Sequence, residues 1–428
     1  MNSLRRLARR GIRLADRLVG PDDPKTSRPA SEAFPGDGSG LVAGPTPRHD
    51  PTLDDDPRLV VLMPHLSLER MSGGPNTILQ VTAPLLARGH RIRYVATMGR
   101  LEPDEAAIRS HIRQVTGTDA NGTGVELVDA SSPGSELRLG AADVPFATWW
   151  PTAHLARGAL DVVRAREFLY LVQDFEPGFY PWSTRYALAL ATYAMPMRAV
   201  VNDALLLEHL RSERIGVFGA QDLDGRAVAF RPAVDRAVFV PRERSTDGPR
   251  RLVFYARPRN ARNLFELGLS VLRKAVADGA FERGTWAFRA IGQAIPGQPL
   301  GAGRRLDAEP WMAYRDYAAY LGTSDVLLSL MLSPHPSYPP LEMAATGGLV
   351  VTNSFGVKTP EALAAISPGI RAAAPEVGAL AEALGQAVAD SDAGPARSAP
   401  FNLPGSWPEA LTDVVPWLER AIADIRGS

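Results

Sequence analysis

Four prolines fall within eight positions in "SPHPSYPP", residues 333–340, and the run leads into a helical pattern that carries one acid, Glu342. Proline fixes φ, so such a loop loses little further entropy when it grips a ligand. Pro339 and Pro340 suit a first helical turn, where their missing N–H would be unpaired anyway, and Ser337 is the expected N-cap. Gly347–Gly348 ends the pattern. A carboxylate repels phosphate, so the ligand role that fits Glu342 is accepting hydrogen bonds from hydroxyl groups. The plainer alternative is a glutamate in the first turn that answers the helix dipole. A second stretch, "YARPRNARN", sets Arg257, Arg259 and Arg262 within six residues at a strand end and a helix start. Cations there oppose the macrodipole, a local conflict that an anion such as a diphosphate would resolve. Arginines facing water or a neighbouring acid are the alternative. A ligand with both a diphosphate and hydroxyls, an activated sugar, answers the two stretches together.

Other segments add weaker signals. "HLSLERMSGGPNT" places Gly73 and Gly74 before Pro75, which permits close backbone approach at a helix start but is not the G-x-G-x-x-G of a nicotinamide site. "QDFEPGFYP" (173–181) holds Asp174, Phe175 and Glu176 among aromatics after an apolar run, a composition that suits saccharides. A carboxylate so placed could also serve as a general base. Capping of a strand end by acids is the alternative. His154, in "WWPTAHLA", could line the same cleft, though a lone histidine is more often structural. Asp222-x-Asp224 has a divalent-metal spacing, but Gly219 and Gly225 mark an exposed turn and the match reads as coincidence. No histidine or carboxylate cluster shows convincing ligand spacing, so no metal or other cofactor is expected.

The elements that must position these residues come in two rounds. "RLVVLMP" (58–64), a helical pattern through "TILQVTAPLLARGH" stopped at Gly89, and "RIRYVAT" open the first, and "VELVDA", "FATWW", "FLYLVQ" and "MRAVV" continue it. The grammar restarts at "RLVFYARP" (251–258), with the helix pattern "NLFELGLSVLRKAVADG", the strands "WAFRAIG" and "DVLLSLML" (325–332), and then "GLVVTN". Strands alternating with helices imply parallel βαβ units, whose ligands collect at the carboxyl ends of strands. The expected organisation is an amphipathic basic helix at 1–20, a disordered linker at 21–56, an α/β domain at 57–230, a second α/β domain at 231–400, and a C-terminal amphipathic helix at 401–428.

With 428 residues, the chain is long enough for two cores. Its 45% hydrophobic and 22% charged content is ordinary for a soluble globular protein, and the 47 acids balance the 47 bases, which argues against a nucleic-acid binder. No apolar run suffices for a transmembrane helix. The absence of cysteine excludes disulfides and thiolate chemistry. Arginine outnumbers lysine 44 to three. In "MNSLRRLARRGIRLADRLVG" arginine interrupts every apolar stretch, so a signal peptide is not expected; the helix could lie on an anionic membrane surface or dock on its own protein. A cytoplasmic protein, at most peripheral to the inner face of a membrane, is the expectation.

The α/β architecture resembles GT-B glycosyltransferases, with two Rossmann-like α/β/α domains facing a central cleft. "SYPPLEMAATGGLVVTN" resembles the donor-site segment of retaining family 4, which carries E-F-G-L-x-x-x-E-A-M-A-x-G before a strand. "YARPRNARNLFELGL", "LVQDFEPGFYPWSTRYALA" and "LSLMLSPHPSYPPLEMA" are more similar still to rhamnosyltransferases of bacterial surface glycans, including the S-layer type. That resemblance spans roughly residues 58–390. It implies transfer of rhamnose from dTDP-rhamnose to a glycan or lipid-linked glycan acceptor, with retention and no metal. It assigns Glu342 to the nucleotide ribose and Arg257 and Arg262 to the diphosphate, and places His335, Tyr338 and Leu341 in the same donor segment. Asp235 and Phe239 match the hinge motif in "RPAVDRAVFVP". Two departures stand out. The family's first acid belongs eight residues before Glu342, where this chain has Pro334, so the contact to the transferred sugar is missing or supplied by another group such as His335. The resemblance gives the first domain to the acceptor and the second to the donor. No obvious basic partner accompanies the diphosphate arginine, and Arg304 or Arg305 would have to substitute. Two other classes share parts of this pattern: a GT-B-like protein that binds nucleotide sugar without transfer, and a two-lobed solute-binding protein, which the lack of an export signal disfavours.

Overall fold

The computed structural model describes residues 44–71, 73–242, 248–392 and 400–427. The basic helix expected at 1–20, and the linker up to residue 43, lie outside the described residues.

The first round of elements builds a seven-stranded, all-parallel sheet. Its strands are β2 (Arg58–Met63), β3 (Arg91–Ala96), β4 (Val125–Asp129), β6 (Val144–Ala147), β7 (Phe168–Val172), β8 (Met197–Asn202) and β9 (Ala227–Phe230), in the order β4-β3-β2-β6-β7-β8-β9. Helices α1 (Gly74–Thr82), α2 (Glu105–Thr116), α3 (Trp150–Ala159), α4 (Thr184–Ala191), α5 (Ala204–Ser212) and the short α6 (Leu223–Arg226) connect them. The strands are apolar throughout because both faces are covered. Leu59, Val61 and Met63 enter one core, and Val60 and Leu62 the other.

The second round repeats the plan. Strands β10 (Arg250–Ala256), β11 (Trp286–Gly292), β12 (Gln298–Gly301), β13 (Arg304–Ala308), β14 (Val326–Leu328), β15 (Leu349–Asn353) and β16 (Ile370–Ala373) pair in the order β12-β13-β11-β10-β14-β15-β16, with only β12 antiparallel. Helices α7 (Phe265–Ala277), α8 (Tyr314–Gly322), α9 (Tyr338–Ala345), α10 (Pro360–Ile366) and α11 (Val377–Asp392) pack around it. Leu252, Phe254 and Ala256 fill one core and Val253 the other.

The chain crosses between the domains twice, and the two crossings run side by side. The Val234 N–H donates to the Pro404 carbonyl at 3.0 Å. After the second crossing, α12 (Trp407–Ala410) and α13 (Val414–Gly427) return to the first domain, where Leu418, Ala421, Ile422 and Ile425 join its core. Arg88–Glu419 and Arg198–Asp424 ion pairs flank this docking.

Three expectations need correction. Part of the linker placed at 21–56 is structured: β1 (Thr46–His49) pairs in parallel with β5 (Glu136–Leu139), and Asp50 caps a helical turn at Pro51–Leu53. This strand has no alternating pattern of its own and is held by a partner about ninety residues away. "DVLLSLML" is a strand only over Val326–Leu328. The single tail helix is two, because Pro416 has no N–H to continue a helix from residue 412 and sits instead in the first turn of α13. No helix among the described residues is long and apolar enough to cross a membrane.

If the return of α13 completes the first core, Leu418→Ala should lower unfolding free energy by about 2–5 kcal/mol, read as a shifted urea midpoint. An unchanged midpoint would leave the helix attached by its surface ion pairs alone.

Candidate active site

The proline turn and the arginine turn follow neighbouring strands. β10 and β14 are parallel, with Leu252 opposite Val326, so both turns leave the same end of the sheet. They are joined there. The Leu332 N–H donates to the Arg262 carbonyl at 2.7 Å, and Asn263 Nδ2 donates to the Leu330 carbonyl at 3.1 Å.

Within the proline turn, Ser337 takes φ 70° and ψ 147°, a left-handed backbone that costs a non-glycine residue about 1–3 kcal/mol. Its side chain makes no capping bond; instead its N–H donates to His335 Nδ1 at 2.9 Å. That bond puts the imidazole proton on Nε2, which reaches Asn202 Oδ1 at 3.4 Å. Burial holds His335 neutral, its pKa pushed down to about 4. The Tyr338 hydroxyl accepts from Asn202 Nδ2 at 3.3 Å. Gly73 has φ 46°, and a Cβ on Gly74 would meet the Gln173 side chain at 3.4 Å.

Helix α9 starts at Tyr338, so Pro339 and Pro340 occupy its first turn and Glu342 stands one turn further in. Glu342 thus lies just past the first turn, where the dipole explanation weakens. Its carboxylate accepts from the Tyr317 hydroxyl at 2.8 Å, and burial pushes its pKa up to about 7. Leu341, expected to touch donor, is fully buried in the core beneath with Val234, Phe239 and Leu327.

Arg257 is half-buried and donates to the Tyr255 hydroxyl at 3.4 Å, while Arg259 is exposed. Arg262 lies over the Phe179 ring at 4.1 Å and pairs with Asp174 at 3.2 Å. Asp174 is 6% exposed and also accepts from the Ser333 hydroxyl. It belongs to the first domain and both partners to the second, so this carboxylate ties the domains together.

The remaining acceptor-side residues serve their own domain. Glu176 accepts from the Trp150 backbone N–H at 2.6 Å and the Tyr170 hydroxyl at 2.8 Å and is buried, which corrects its expected place as an acid facing the cleft. Its burial raises the pKa to about 8. Phe175 stacks on Tyr193, and His154 bonds the Leu188 carbonyl at 3.1 Å, joining α3 to α4. Asp222 pairs with Arg226. Among the described residues no cluster of three or more His, Cys, Asp or Glu could hold a metal.

Arg304 and Arg305 cannot stand beside Arg257. Leu306 pairs with Phe288 near the start of β11, so both arginines sit at the amino end of the sheet, away from the turns. Arg304 donates to the Phe281 carbonyl and Arg305 pairs with Asp307. A different cation is at the right end. Lys358 follows β15 and is 0% exposed, and its Nζ donates to the Met331 carbonyl at 2.7 Å. Asp174 and Asp203 act on it electrostatically, yet burial pushes its pKa down to about 7. The signal available in the sequence was its rarity, one lysine of three among 47 cations.

Residues 58–203 match the family "WsaF, N-terminal domain" and residues 250–385 match "WsaF, C-terminal domain", together about two thirds of the chain. Both domains belong to the WsaF family. The WsaF-family chain is also 37% identical over 227 residues to the O-antigen biosynthesis protein RfbC of Myxococcus xanthus. That match covers 50% of this chain and only 16% of the relative's length. Among solved structures, Anabaena Alr3699/HepE in complex with UDP and glucose superposes with a TM-score of 0.55 at 10% identity, covering 86% of this chain and 99% of that one. Sucrose-phosphate synthase from Thermosynechococcus elongatus gives 0.50 at 14% identity, with 86% and 96% covered. These likenesses show the fold, which is GT-B.

Glu176→Ala should cost about 1–3 kcal/mol of stability by leaving the Trp150 N–H and Tyr170 hydroxyl unpaired. Glu176→Gln keeps an acceptor there and removes a titration. Because the folded pKa is raised, the folded state holds a proton that the unfolded chain has lost, so wild-type stability should fall as pH rises from about 4.5 to 8. The glutamine variant should show a flatter profile in chemical denaturation across that window; an equally steep decline would assign it to other groups.

Proposed function

We propose that this WsaF-family chain is a glycosyltransferase of surface-glycan assembly that moves rhamnose from dTDP-rhamnose to a glycan acceptor with retention. The observation that carries the reading is the joining of the arginine and proline turns at neighbouring strand ends, with Glu342 behind one and Lys358 between them and β15. The family assignment, the name of the Myxococcus relative and the UDP and glucose held by the HepE structure support it.

In this reading Arg257, Arg262 and Lys358 face the diphosphate, and Glu342 accepts from ribose hydroxyls. Neutral His335 offers Nε2–H to the sugar in place of the family acid that Pro334 replaces. The bond from C1 to the phosphate oxygen breaks as the acceptor oxygen bonds C1 on the same face. The acceptor proton passes to the departing phosphate, so no protein base is compulsory. The cations stabilise the charge that develops on that phosphate, and no metal is required. Pro334 favours one second reading, a protein that binds nucleotide sugar without transferring it.

Incubation of the purified chain with several sugar nucleotides separates the two: slow donor hydrolysis is expected, and tight binding without turnover would overturn transfer. Glu342→Gln should weaken donor binding by about 1.5–3 kcal/mol with the fold intact. The pH dependence of kcat/KM should be bell-shaped, since it reports groups of the free enzyme. Glu342 must lose its proton, so activity rises through about pH 7; Lys358 must keep its proton, so activity falls above about pH 7. Glu342→Gln should remove the acid limb and Lys358→Met the alkaline limb. Limbs that persist in both variants would detach these residues from the donor.

A further inference from the structure

Trp182 is 93% exposed, and no other large apolar side chain between residues 173 and 200 stands exposed. It is not isolated. Its ring lies 6.4 Å from that of Tyr186, one turn into α4, with planes 35° apart. Arg185, from the same turn, lies 5.9 Å from the Tyr180 ring, and Tyr180 lies 6.4 Å from Phe179. Phe179 is the ring beneath the Arg262 guanidinium. The rings thus form two pairs, Phe179–Tyr180 beside the Arg262 guanidinium and Trp182–Tyr186 at the start of α4, with Arg185 of the same turn reaching back to Tyr180.

We infer that Phe179, Tyr180, Trp182 and Tyr186 form a stacking track for the sugar rings of an extended glycan acceptor. The inference rests on the glycosyl-transfer reading and adds how that site takes a polymer rather than a single sugar. Sugar rings present C–H faces to aromatic planes and hydroxyl edges to polar groups, and the track offers both: four rings, the Tyr hydroxyls and Arg185. It is also held in place before any ligand arrives. Trp150 Nε1 donates to the Tyr180 hydroxyl at 3.0 Å, Pro181 stiffens the link, and the Ser183 side chain caps α4. Rings carried on segments fixed in advance lose little entropy on stacking, which makes the exposure of Trp182 beside Tyr186 useful. A membrane contact fits less well, because a binding face needs several exposed aliphatic side chains, and here a single indole stands out beside half-buried rings and exposed polar residues such as Ser183, Thr184 and Arg185.

The test is saturation-transfer NMR on the full chain with dTDP present, using rhamnose and a rhamnohexaose as probes. The wild type should bind the hexaose more tightly than rhamnose. Trp182→Ala should reduce hexaose affinity about tenfold, the scale of losing one well-placed aromatic anchor, and collapse the ratio between the two probes. Trp182→Phe should restore most of it. Equal affinity of wild type for both probes, or an unchanged ratio in Trp182→Ala, would overturn the track. So would a loss confined to sedimentation with phosphatidylglycerol vesicles. Calorimetry of the wild type with dTDP-rhamnose tests the donor reading separately: hexaose binding through Trp182 without donor binding would keep the track and remove the transferase.

Discussion

The peptide of Met331 is the fixed point of the turns at the carboxyl end of the second sheet. Strand β14 ends at Leu328, and the Ser329 N–H reaches the Val351 carbonyl at 3.0 Å before the backbone ladder stops. From there the Asn353 side chain takes over. Its Oδ1 accepts from the Met331 N–H at 2.7 Å and its Nδ2 donates to the Met331 carbonyl at 3.0 Å, so a side-chain amide pairs with the peptide as a neighbouring strand would. Lys358 adds a second bond to the same carbonyl. All of these groups are buried, where an unmade hydrogen bond is costly, so the start of the proline turn has one satisfactory position. The turn that follows can then hold Ser337 in a strained backbone and still present His335 and Tyr338 to the other domain.

The charges at the domain boundary follow from that placement. Arg262 is committed to the turn by its carbonyl bond to Leu332, and its guanidinium is sandwiched between Phe179 and Asp174. A guanidinium this enclosed needs an anion, and without ligand the acid of the opposite domain supplies it. In the proposed donor reading a diphosphate, which carries more negative charge than one carboxylate, would compete with Asp174 for Arg262. Because Asp174 and Arg262 belong to different domains, such an exchange would couple binding to the contact between them.

Much of the scaffold was legible because two local rules suffice for it. Apolar runs such as "RLVVLMP" and "RLVFYARP" have no period to hide, and the glycines at 89 and 347 stop helices wherever they occur in such a pattern. The two turns were legible for the same reason, since proline density and arginine density are properties of short segments. What failed depended on distant partners. β1 is a strand only because Glu136–Leu139 lies beside it, and Glu176 looked like an acid for the cleft because nothing nearby reveals Trp150 and Tyr170. Arg304 and Arg305 were proposed on charge alone, and the register of β13 against β11 puts them at the opposite end. Spacing in sequence carries no information on which end of a sheet a residue reaches.

Lys358 shows how composition can still speak where spacing does not. A chain that writes 44 of its 47 cations as arginine has an evident supply of guanidinium groups, yet a wholly buried position holds lysine. The chemistry of the place explains the choice. One carbonyl is available, and an ammonium can use it with a single N–H, whereas a guanidinium would bring five donors in a rigid plane into a space that satisfies one. An ammonium can also shed its proton when burial disfavours the charge, which a guanidinium cannot do near neutral pH. Burial therefore brings Lys358, bonded to Met331, close to its titration point near neutral pH. In the proposed donor reading a diphosphate beside it would shift that balance toward the charged form, so the cation would gain charge where an anion binds.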